Sequence, residues 1–197
     1  MVETQVPEGC SFVDVPVRLD LGAGVNKKEG FLGVDILAFE GVDVVCDLTQ
    51  AWPWEDNSVD EVNASHVVEH FNPKERCHFY NELYRVLKPG CKATIVVPYW
   101  KSSRAYGDPT HQWPPVSEMS FFYLSREWRL GDGKDKAPQA PHTDVSNIDW
   151  GYSCDFDATW GYALDGEVAQ RNQEFQQFAL KHYTESAQDL IATVTKK

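Results

Sequence analysis

The chain has 197 residues, with 18 Lys and Arg against 30 Asp and Glu, and a formal net charge of −12 at pH 7. Its length and its hydrophobic content of 42% suit a folded domain and exclude an intrinsically disordered chain. An acidic protein repels the phosphates of nucleic acids, so we expect no nucleic acid partner. No apolar run approaches the roughly 18 residues that a membrane span needs, so we expect no membrane partner.

The cysteines indicate the compartment. Five are present, and they are scattered along the chain without a CxxC pair, which favours neither a disulfide framework nor a zinc ribbon. Residues 1–10 lack the basic region and the apolar run of a signal peptide. Free thiols suit a reducing compartment, and we expect a cytoplasmic protein.

Apolar, β-branched runs predict seven strands, and helical spacing predicts three helices. The strands cover residues 15–21, 31–34, 42–46, 59–64, 93–97, 150–162 and 190–195. The helices cover residues 73–87, 117–129 and 167–182, and a Pro- and Gly-rich loop covers 131–141. Asn72-Pro73 gives the first helix an N-cap, and Lys88-Pro89-Gly90 stops it. Alternating strands and helices predict a mostly parallel α/β sheet.

Two features mark a ligand site. Gly22-Ala23-Gly24 follows the first strand, where glycines let the backbone approach a ligand closely. Asp35 ends the second strand and Asp47 ends the third. In open α/β sheets, ligands bind outside the carboxyl ends of the strands. Each acid alone is typical of a turn, but two acids beside a GxG turn favour a nucleotide-type ligand.

The stretch at 19–36 (LDLGAGVNKKEGFLGVDI) resembles the glycine motif and second strand of class I S-adenosylmethionine-dependent methyltransferases, in a branch with a short loop between the first two strands. The segments 45–48 (VCDL), 53–62 (PWEDNSVDEV), 65–71 (SHVVEHF) and 85–90 (RVLKPG) extend the resemblance over about residues 15–100. It implies a Rossmann-like, doubly wound, seven-stranded sheet with an antiparallel C-terminal edge strand. It implies one domain over 1–197, with an acceptor half from about residue 101.

The resemblance also implies roles for single residues. S-adenosyl-L-methionine would be the cofactor, with Asp20 and the glycines near its methionine half, Asp35 on the ribose, and Asp47 on the adenine amino group. The full set of implied cofactor-binding residues is Asp20, Gly22, Ala23, Gly24, Asn26, Asp35, Ile36, Asp47, Leu48, Ser65 and His66. Asn26 stands where the family's common pattern has a third glycine, and it would supply a side-chain amide instead.

The acceptor side is less defined. Candidate bases for a hydroxyl or amine acceptor are His66, His70 and His111, with Asp108 as an orienting partner for an imidazole. Tyr99, at a strand end, is the predicted aromatic residue of an acceptor pocket that also includes Asp108 and His111. The acceptor is expected to be a small molecule, and we expect no metal.

Three alternatives stay open. The string 66–70 reads H-x-x-E-H; on a helix, His66 and His70 could share a zinc ion with Glu69 as the base of a metallohydrolase. No third protein ligand is evident, which counts against it. A nicotinamide dehydrogenase needs its ribose acid about 20 residues beyond the glycines, and Asp35 lies only 13 beyond Gly22. The third alternative is a module that binds the adenosyl ligand without catalysis.

Overall fold

A computed structural model describes residues 15–131 and 148–197. Seven strands form one sheet: β1 (Arg18–Leu21), β2 (Leu32–Asp35), β3 (Val44–Val45), β4 (Val59–Ser65), β5 (Leu87–Pro98), β6 (Phe156–Leu164) and β7 (Ala187–Lys196). The helices are α1 (Pro73–Val86), α2 (Arg104–Gly107), α3 (Glu118–Phe122), α4 (Arg126–Leu130), α5 (Gly166–Ala169) and α6 (Gln173–His182). A 3-10 turn covers Val68–His70. Within the described ranges, no helix is long and apolar enough to cross a membrane.

The strand order is β3-β2-β1-β4-β5-β7-β6, and the first five strands pair in parallel. β7 runs antiparallel to both β5 and β6 and lies between them. The predicted Rossmann-like α/β sheet with an antiparallel C-terminal end is therefore confirmed, with β6 as the strand at the edge itself. The chain order reverses between β1 and β4, and such a reversal is where open α/β sheets bind ligands.

Helix α1 begins where the sequence predicts. The side chain of Asn72 accepts hydrogen bonds from the backbone N–H groups of Lys74 and Glu75, and Glu75 accepts one from the Asn72 N–H. This capping box satisfies donors that the first turn would otherwise leave unpaired. Phe79 and Leu83 of α1 are fully buried against the sheet, and burying each stabilises the fold by about 1.5–3 kcal/mol.

Several boundaries differ from the predictions. The helix predicted at 117–129 is two helices, because Ser125 caps a second one by accepting from the Trp128 N–H. The helix predicted at 167–182 is also divided, with Asn172 as the new cap. Polar caps start helices more readily than they continue them. β5 begins at Leu87, directly after α1, and β6 begins only at Phe156. Most of the loop predicted at 131–141 lies outside the described residues.

Candidate active site at the ends of the parallel strands

A first cavity of about 260 Å³ lies at the carboxyl ends of β1, β2, β3 and β4, beside the reversal in strand order. Its lining combines loop backbone, two carboxylates and apolar side chains. The lining residues are Gly22, Asp35, Ile36, Cys46, Asp47, Leu48, Thr49, His66, Val67, His70 and Phe71. Such a mixture of apolar walls and few polar groups is typical of small-ligand sites.

Gly22 brings the loop after β1 against the turn after β4. Its φ is 69°, and a Cβ there would lie 2.3 Å from Cγ2 of Val67. The N–H groups of Gly22 and Ala23 both donate to the carbonyl of Val34, at 2.8 and 3.1 Å. A side chain at Gly22 would therefore have to displace Val67, which itself lines the cavity.

Asp20 holds the short loop that replaces a first helix. Its Oδ2 accepts from the backbone N–H of Lys28 at 2.7 Å, and its Oδ1 accepts from the side-chain amide of Asn63 at 2.7 Å. The side chain is buried and does not line the cavity. Asp20 thus fixes the loop between β1 and β2 without lining the cavity.

The two predicted strand-end acids line the first cavity together. Asp35 accepts from the N–H groups of Gly24 and Leu37, each at 3.0 Å. Asp47 accepts through Oδ1 from the Thr49 hydroxyl and backbone N–H, at 2.7 and 2.9 Å. These bonds, first that of the hydroxyl, lower the pKa of Asp47 below its ordinary value. Each carboxylate oxygen can accept more than one hydrogen bond, so both acids can also bind a ligand.

A second cavity, of about 450 Å³, adjoins the first, and His66 and His70 line both. Its lining is far more polar. The residues are His66, Glu69, His70, Pro98, Arg104, Gly107, Asp108 and His111. They come from the turn after β4 and from the loop and short helix after β5. The shared histidines make the two cavities halves of one site.

His66 stands at this junction with a left-handed backbone (φ 57°) directly after β4. Its Nδ1 lies 3.1 Å from Oε1 of Glu69, and its Nε2 lies 3.8 Å from Oδ1 of Asp189. The hydrogen bond with Glu69 raises the pKa of His66 above its ordinary value, against the lowering effect of burial. Neutral His66 can donate from Nδ1 to Glu69, which leaves Nε2 as a proton acceptor.

Buried Arg76 fixes the second cavity's walls. From α1 its guanidinium donates to the backbone carbonyls of Val68 and Glu69 on the 3-10 turn, and to those of Gln112 and Pro114 on the loop after β5. The Gln112 N–H also donates to the Glu69 carbonyl at 2.8 Å. These bonds hold together the turn that carries Glu69 and His70 and the loop that carries His111.

The other two histidines meet on these walls. The rings of His70 and His111 are 4.9 Å apart between centroids. The hydroxyl of Thr110 lies 3.0 Å from Nδ1 of His70 and 2.6 Å from Oδ1 of Asp108. That hydroxyl is the main cause that lowers the pKa of Asp108.

The predicted site residues fall into three groups. Those that line the first cavity are Gly22, Asp35, Ile36, Asp47, Leu48, His66 and His70. Those in the second cavity are His66, His70, Asp108 and His111. Those that line neither are Asp20, Ala23, Gly24, Asn26, Ser65 and Tyr99.

Tyr99 needs a correction. It is 2% exposed, and its hydroxyl donates to the carbonyl of Leu180 at 2.9 Å. Tyr99 is therefore an interior side chain that attaches α6 to the sheet, and it lines neither of the two cavities.

Several lining residues were missed by the sequence analysis. In the first cavity they are Cys46, Thr49, Val67 and Phe71, and in the second they are Pro98, Arg104 and Gly107. Thr49 could have been found, because an Asp followed two residues later by a hydrogen-bonding partner is a turn signature. Arg104 offers no local signal, since its place depends on an ion pair with Asp189 at 3.0 Å.

The structure contradicts the H-x-x-E-H alternative. His66 has a positive φ, and only Val68–His70 forms a 3-10 turn. His66 and His70 therefore do not lie one turn apart on an α-helix, as a shared zinc ion would require in that motif.

Comparison with known families identifies the matched region. Residues 19–95 match a protein-family model described as "Methyltransferase domain". The matched residues run from β1 into β5 and are similar to a methyltransferase domain. Every lining residue of the first cavity lies inside the matched region. A comparison with curated protein sequences found no match.

Solved structures show the same fold. A SAM-dependent methyltransferase from Archaeoglobus fulgidus is 20% identical, with a TM-score of 0.58, over 93% of this chain and 87% of the other. The geranyl diphosphate C-methyltransferase from Streptomyces coelicolor A3(2), in complex with Mg2+, geranyl diphosphate and S-adenosyl-L-homocysteine, is 12% identical, with a TM-score of 0.52, over 93% and 73%. At these sequence identities, the similarity to the two solved structures is a similarity of fold.

Proposed function

We propose that the chain transfers the methyl group of S-adenosylmethionine, bound in the first cavity, to a hydroxyl or amine of a small molecule bound in the second. The observation that carries this proposal is the pair of adjoining cavities with His66 and His70 in both. Methyl transfer needs donor and acceptor held in line at short distance. Two connected cavities of different polarity, one inside the methyltransferase domain, suit that requirement.

In the first cavity, the ligand contacts follow from the chemistry of the walls. Asp35 would accept hydrogen bonds from the ribose hydroxyls, and Asp47 would accept one from the adenine amino group. Ile36, which is 60% exposed at the cavity edge, would cover the adenine on one face, with Leu48 nearby. The backbone at Gly22 would lie against the methionine half, as close approach requires a residue without Cβ.

S-adenosylmethionine, when bound, would supply the methyl group. A lone pair on the acceptor oxygen or nitrogen would form the new bond to the methyl carbon, and the electron pair of the broken carbon–sulfur bond would stay on sulfur in S-adenosylhomocysteine. The acceptor's proton passes to Nε2 of His66, which Glu69 orients through Nδ1. A base held by a second group is the usual arrangement for such proton transfer.

The acceptor proposed is a small polar molecule. A volume of about 450 Å³ is within the range of small-ligand sites. The net charge of −12 disfavours a nucleic acid. The described cysteines at 46, 77, 91 and 154 are free thiols, and we propose a cytoplasmic location because free thiols suit a reducing compartment.

The testing experiment is a calorimetric titration with S-adenosylmethionine and S-adenosylhomocysteine, with NAD as the competing ligand. We expect adenosyl binding with a dissociation constant on the order of micromolar, about −8 kcal/mol. Asp35→Ala should weaken it by about 10–100-fold, since hydrogen bonds to a charged group contribute about 1.5–3 kcal/mol. The control is Asp157→Ala, which removes a carboxylate outside both cavities.

Absence of adenosyl binding to the wild-type protein, or equal loss in Asp35→Ala and Asp157→Ala, would overturn the proposal. Turnover is tested separately, by measuring S-adenosylhomocysteine released with a panel of hydroxyl and amine acceptors. Binding with no release for any acceptor class would favour the non-catalytic module.

A further inference from the structure

Three ligating side chains converge in the second cavity. Glu69, His70 and His111 each offer one ligand atom, and these atoms lie within 4.8 Å of one another. Two come from the 3-10 turn after β4, and the third comes from the loop after β5. We propose that this trio binds a divalent transition-metal ion. The proposed set differs from the H-x-x-E-H set, because His111 replaces His66.

Glu69 supplies an independent observation. It is 4% exposed, and Oε1 is occupied by Nδ1 of His66 at 3.1 Å. Its Oε2 is buried without a hydrogen-bond partner among the described residues. A buried carboxylate oxygen without a partner costs free energy, and such groups are rare in folded proteins. A cation coordinated by Oε2 removes that cost.

The hydrogen bonds around His70 select its tautomer. Thr110 has a single hydroxyl proton, which it donates to Oδ1 of Asp108 at 2.6 Å. Toward Nδ1 of His70, 3.0 Å away, Thr110 can therefore only accept. Nδ1 must carry the ring proton, and Nε2 keeps its lone pair.

His111 is fixed in the same way. Its Nδ1 lies 3.3 Å from the backbone carbonyl of Ala105, and a carbonyl can only accept. Nε2 of His111 again keeps its lone pair, 3.8 Å from Oδ2 of Asp108, which adds negative charge beside the site. Metal-binding histidines commonly donate their other ring N–H to a carbonyl or another oxygen, and this fixes ring and tautomer before the ion binds.

The ligand types select the metal. Two imidazole nitrogens and one carboxylate suit Zn²⁺, Mn²⁺ or Fe²⁺, whereas Ca²⁺ and Mg²⁺ take oxygen ligands. Three protein ligands leave coordination positions open, as in catalytic metal sites. The ion's role rests on the proposed function: in the acceptor cavity it would bind an acceptor hydroxyl, lower its pKa and hold it near His66. The binding site itself does not depend on that function.

The test is titration of the full chain, freed of metal by EDTA and dialysis, with Zn²⁺ by calorimetry and with Co²⁺ by visible absorption. We expect one tight site per chain, with the absorption bands of a nitrogen- and oxygen-ligated Co²⁺ ion. His70→Ala and His111→Ala should each weaken binding by more than the roughly 10–100-fold that outer partners of metal sites contribute. The control is His182→Ala, an exposed histidine on α6 outside both cavities.

Thermal unfolding distinguishes loss of a ligand from loss of the fold. In EDTA the variants should unfold close to the wild-type temperature. Added Zn²⁺ should raise that temperature for the wild type and for His182→Ala, but not for His70→Ala or His111→Ala. The inference is overturned if the wild type binds neither ion, or if binding survives both ligand variants unchanged.

A parallel titration with S-adenosylhomocysteine in EDTA separates the two proposals. Adenosyl binding without metal binding removes this inference and leaves the proposed function intact. Metal binding without adenosyl binding leaves the metal site and removes the proposed function.

Discussion

The two cavities differ in where their residues come from. The first is lined wholly by residues between Gly22 and Phe71, inside the matched methyltransferase domain. The second takes Pro98, Arg104, Gly107, Asp108 and His111 from beyond residue 95. The first depends on the ends of parallel strands, which the sheet itself brings together. The second depends on loops, which long-range contacts such as the hydrogen bonds of Arg76 hold in place.

The two cavities also differ in the chemistry of their lining residues. The first has two carboxylates with their own local hydrogen-bond donors, and apolar side chains that include Ile36, Leu48 and Phe71. The second has three histidines, a buried glutamate and the Arg104–Asp189 pair. Under the proposed function, cofactor recognition would thus rely on strand ends and a short motif, while acceptor recognition would rely on loops, which tolerate change better than the sheet does.

The largest expected effect comes from a substitution that disrupts the second cavity and leaves the first in place. Arg76→Met removes the guanidinium that donates to carbonyls of both the 3-10 turn and the loop at 112–114. We expect unfolding free energy to fall by about 2–4 kcal/mol, because buried carbonyls lose a charged donor. Urea denaturation measures this loss. Metal binding should weaken strongly, while adenosyl binding by the folded variant should change little.

Arg18→Met is the matched control for Arg76→Met. Arg18 is half-exposed and pairs with Glu61 at 3.4 Å, so its loss should cost less than about 1 kcal/mol. Equal destabilisation by the two variants would show that the loop does not depend on Arg76.

A smaller effect is expected from two glycine substitutions that test the backbone at the first cavity. Gly24→Ala places a side chain at a φ of 52° with no atom within 4 Å, and the left-handed backbone alone should cost about 1–2 kcal/mol. Gly22→Ala carries the same backbone cost and also the contact with Cγ2 of Val67 at 2.3 Å. Since Val is rigid at χ1, we expect Gly22→Ala to be the less stable variant and to lose more affinity for S-adenosylhomocysteine. Thermal unfolding and calorimetry on both variants check this, and equal behaviour would contradict the steric role of Gly22.

The same contrast explains which features the sequence could reveal. The strands could be predicted from β-branched runs, and α1 from the Asn72 cap, because these signals are local. Asp35 and Asp47 could be placed together because parallel strands end at one edge. The breaks at Ser125 and Asn172 were missed because apolar spacing continued through each polar cap. Tyr99 was misplaced because its partner, the Leu180 carbonyl, lies far along the chain.

The proposed metal ligands Glu69, His70 and His111 show most clearly what the sequence could not predict. Glu69 and His70 were recognised as members of a metal motif, but with His66 as a partner. Whether His66 or His111 completes the set depends on the backbone at His66, where φ is 57°, and on the loop that Arg76 holds. Neither can be read from spacing, because both arise from contacts between segments distant in sequence.

The smallest expected effect concerns the loop before β4, which carries part of the first cavity's wall. Glu82 on α1 accepts from the Trp52 N–H at 2.7 Å and from Nε and Nη2 of Arg85 at 2.8 and 2.7 Å. Arg85 also donates to the carbonyls of Trp52 and Trp54. The hydrogen bond from Arg85 is the main cause that lowers the pKa of Glu82 below its ordinary value of 4.5.

A lowered pKa in the folded state fixes the sign of the pH dependence. The ionised carboxylate stabilises the fold above the unfolded-state pKa, and this contribution is lost as pH falls through the lower folded-state pKa. Glu82→Gln should therefore be less stable than the wild type by about 1 kcal/mol or less near pH 6.5, since the pair is partly solvated. The difference should shrink as pH falls below 4.5 and through the lower folded-state pKa of Glu82, because the wild-type carboxylate is then protonated. Urea denaturation over a series of pH values from about 6.5 downward measures the trend, with exposed Glu174→Gln as the control for charge loss. A difference that stays constant with pH would assign the effect of Glu82 to packing rather than to its charge.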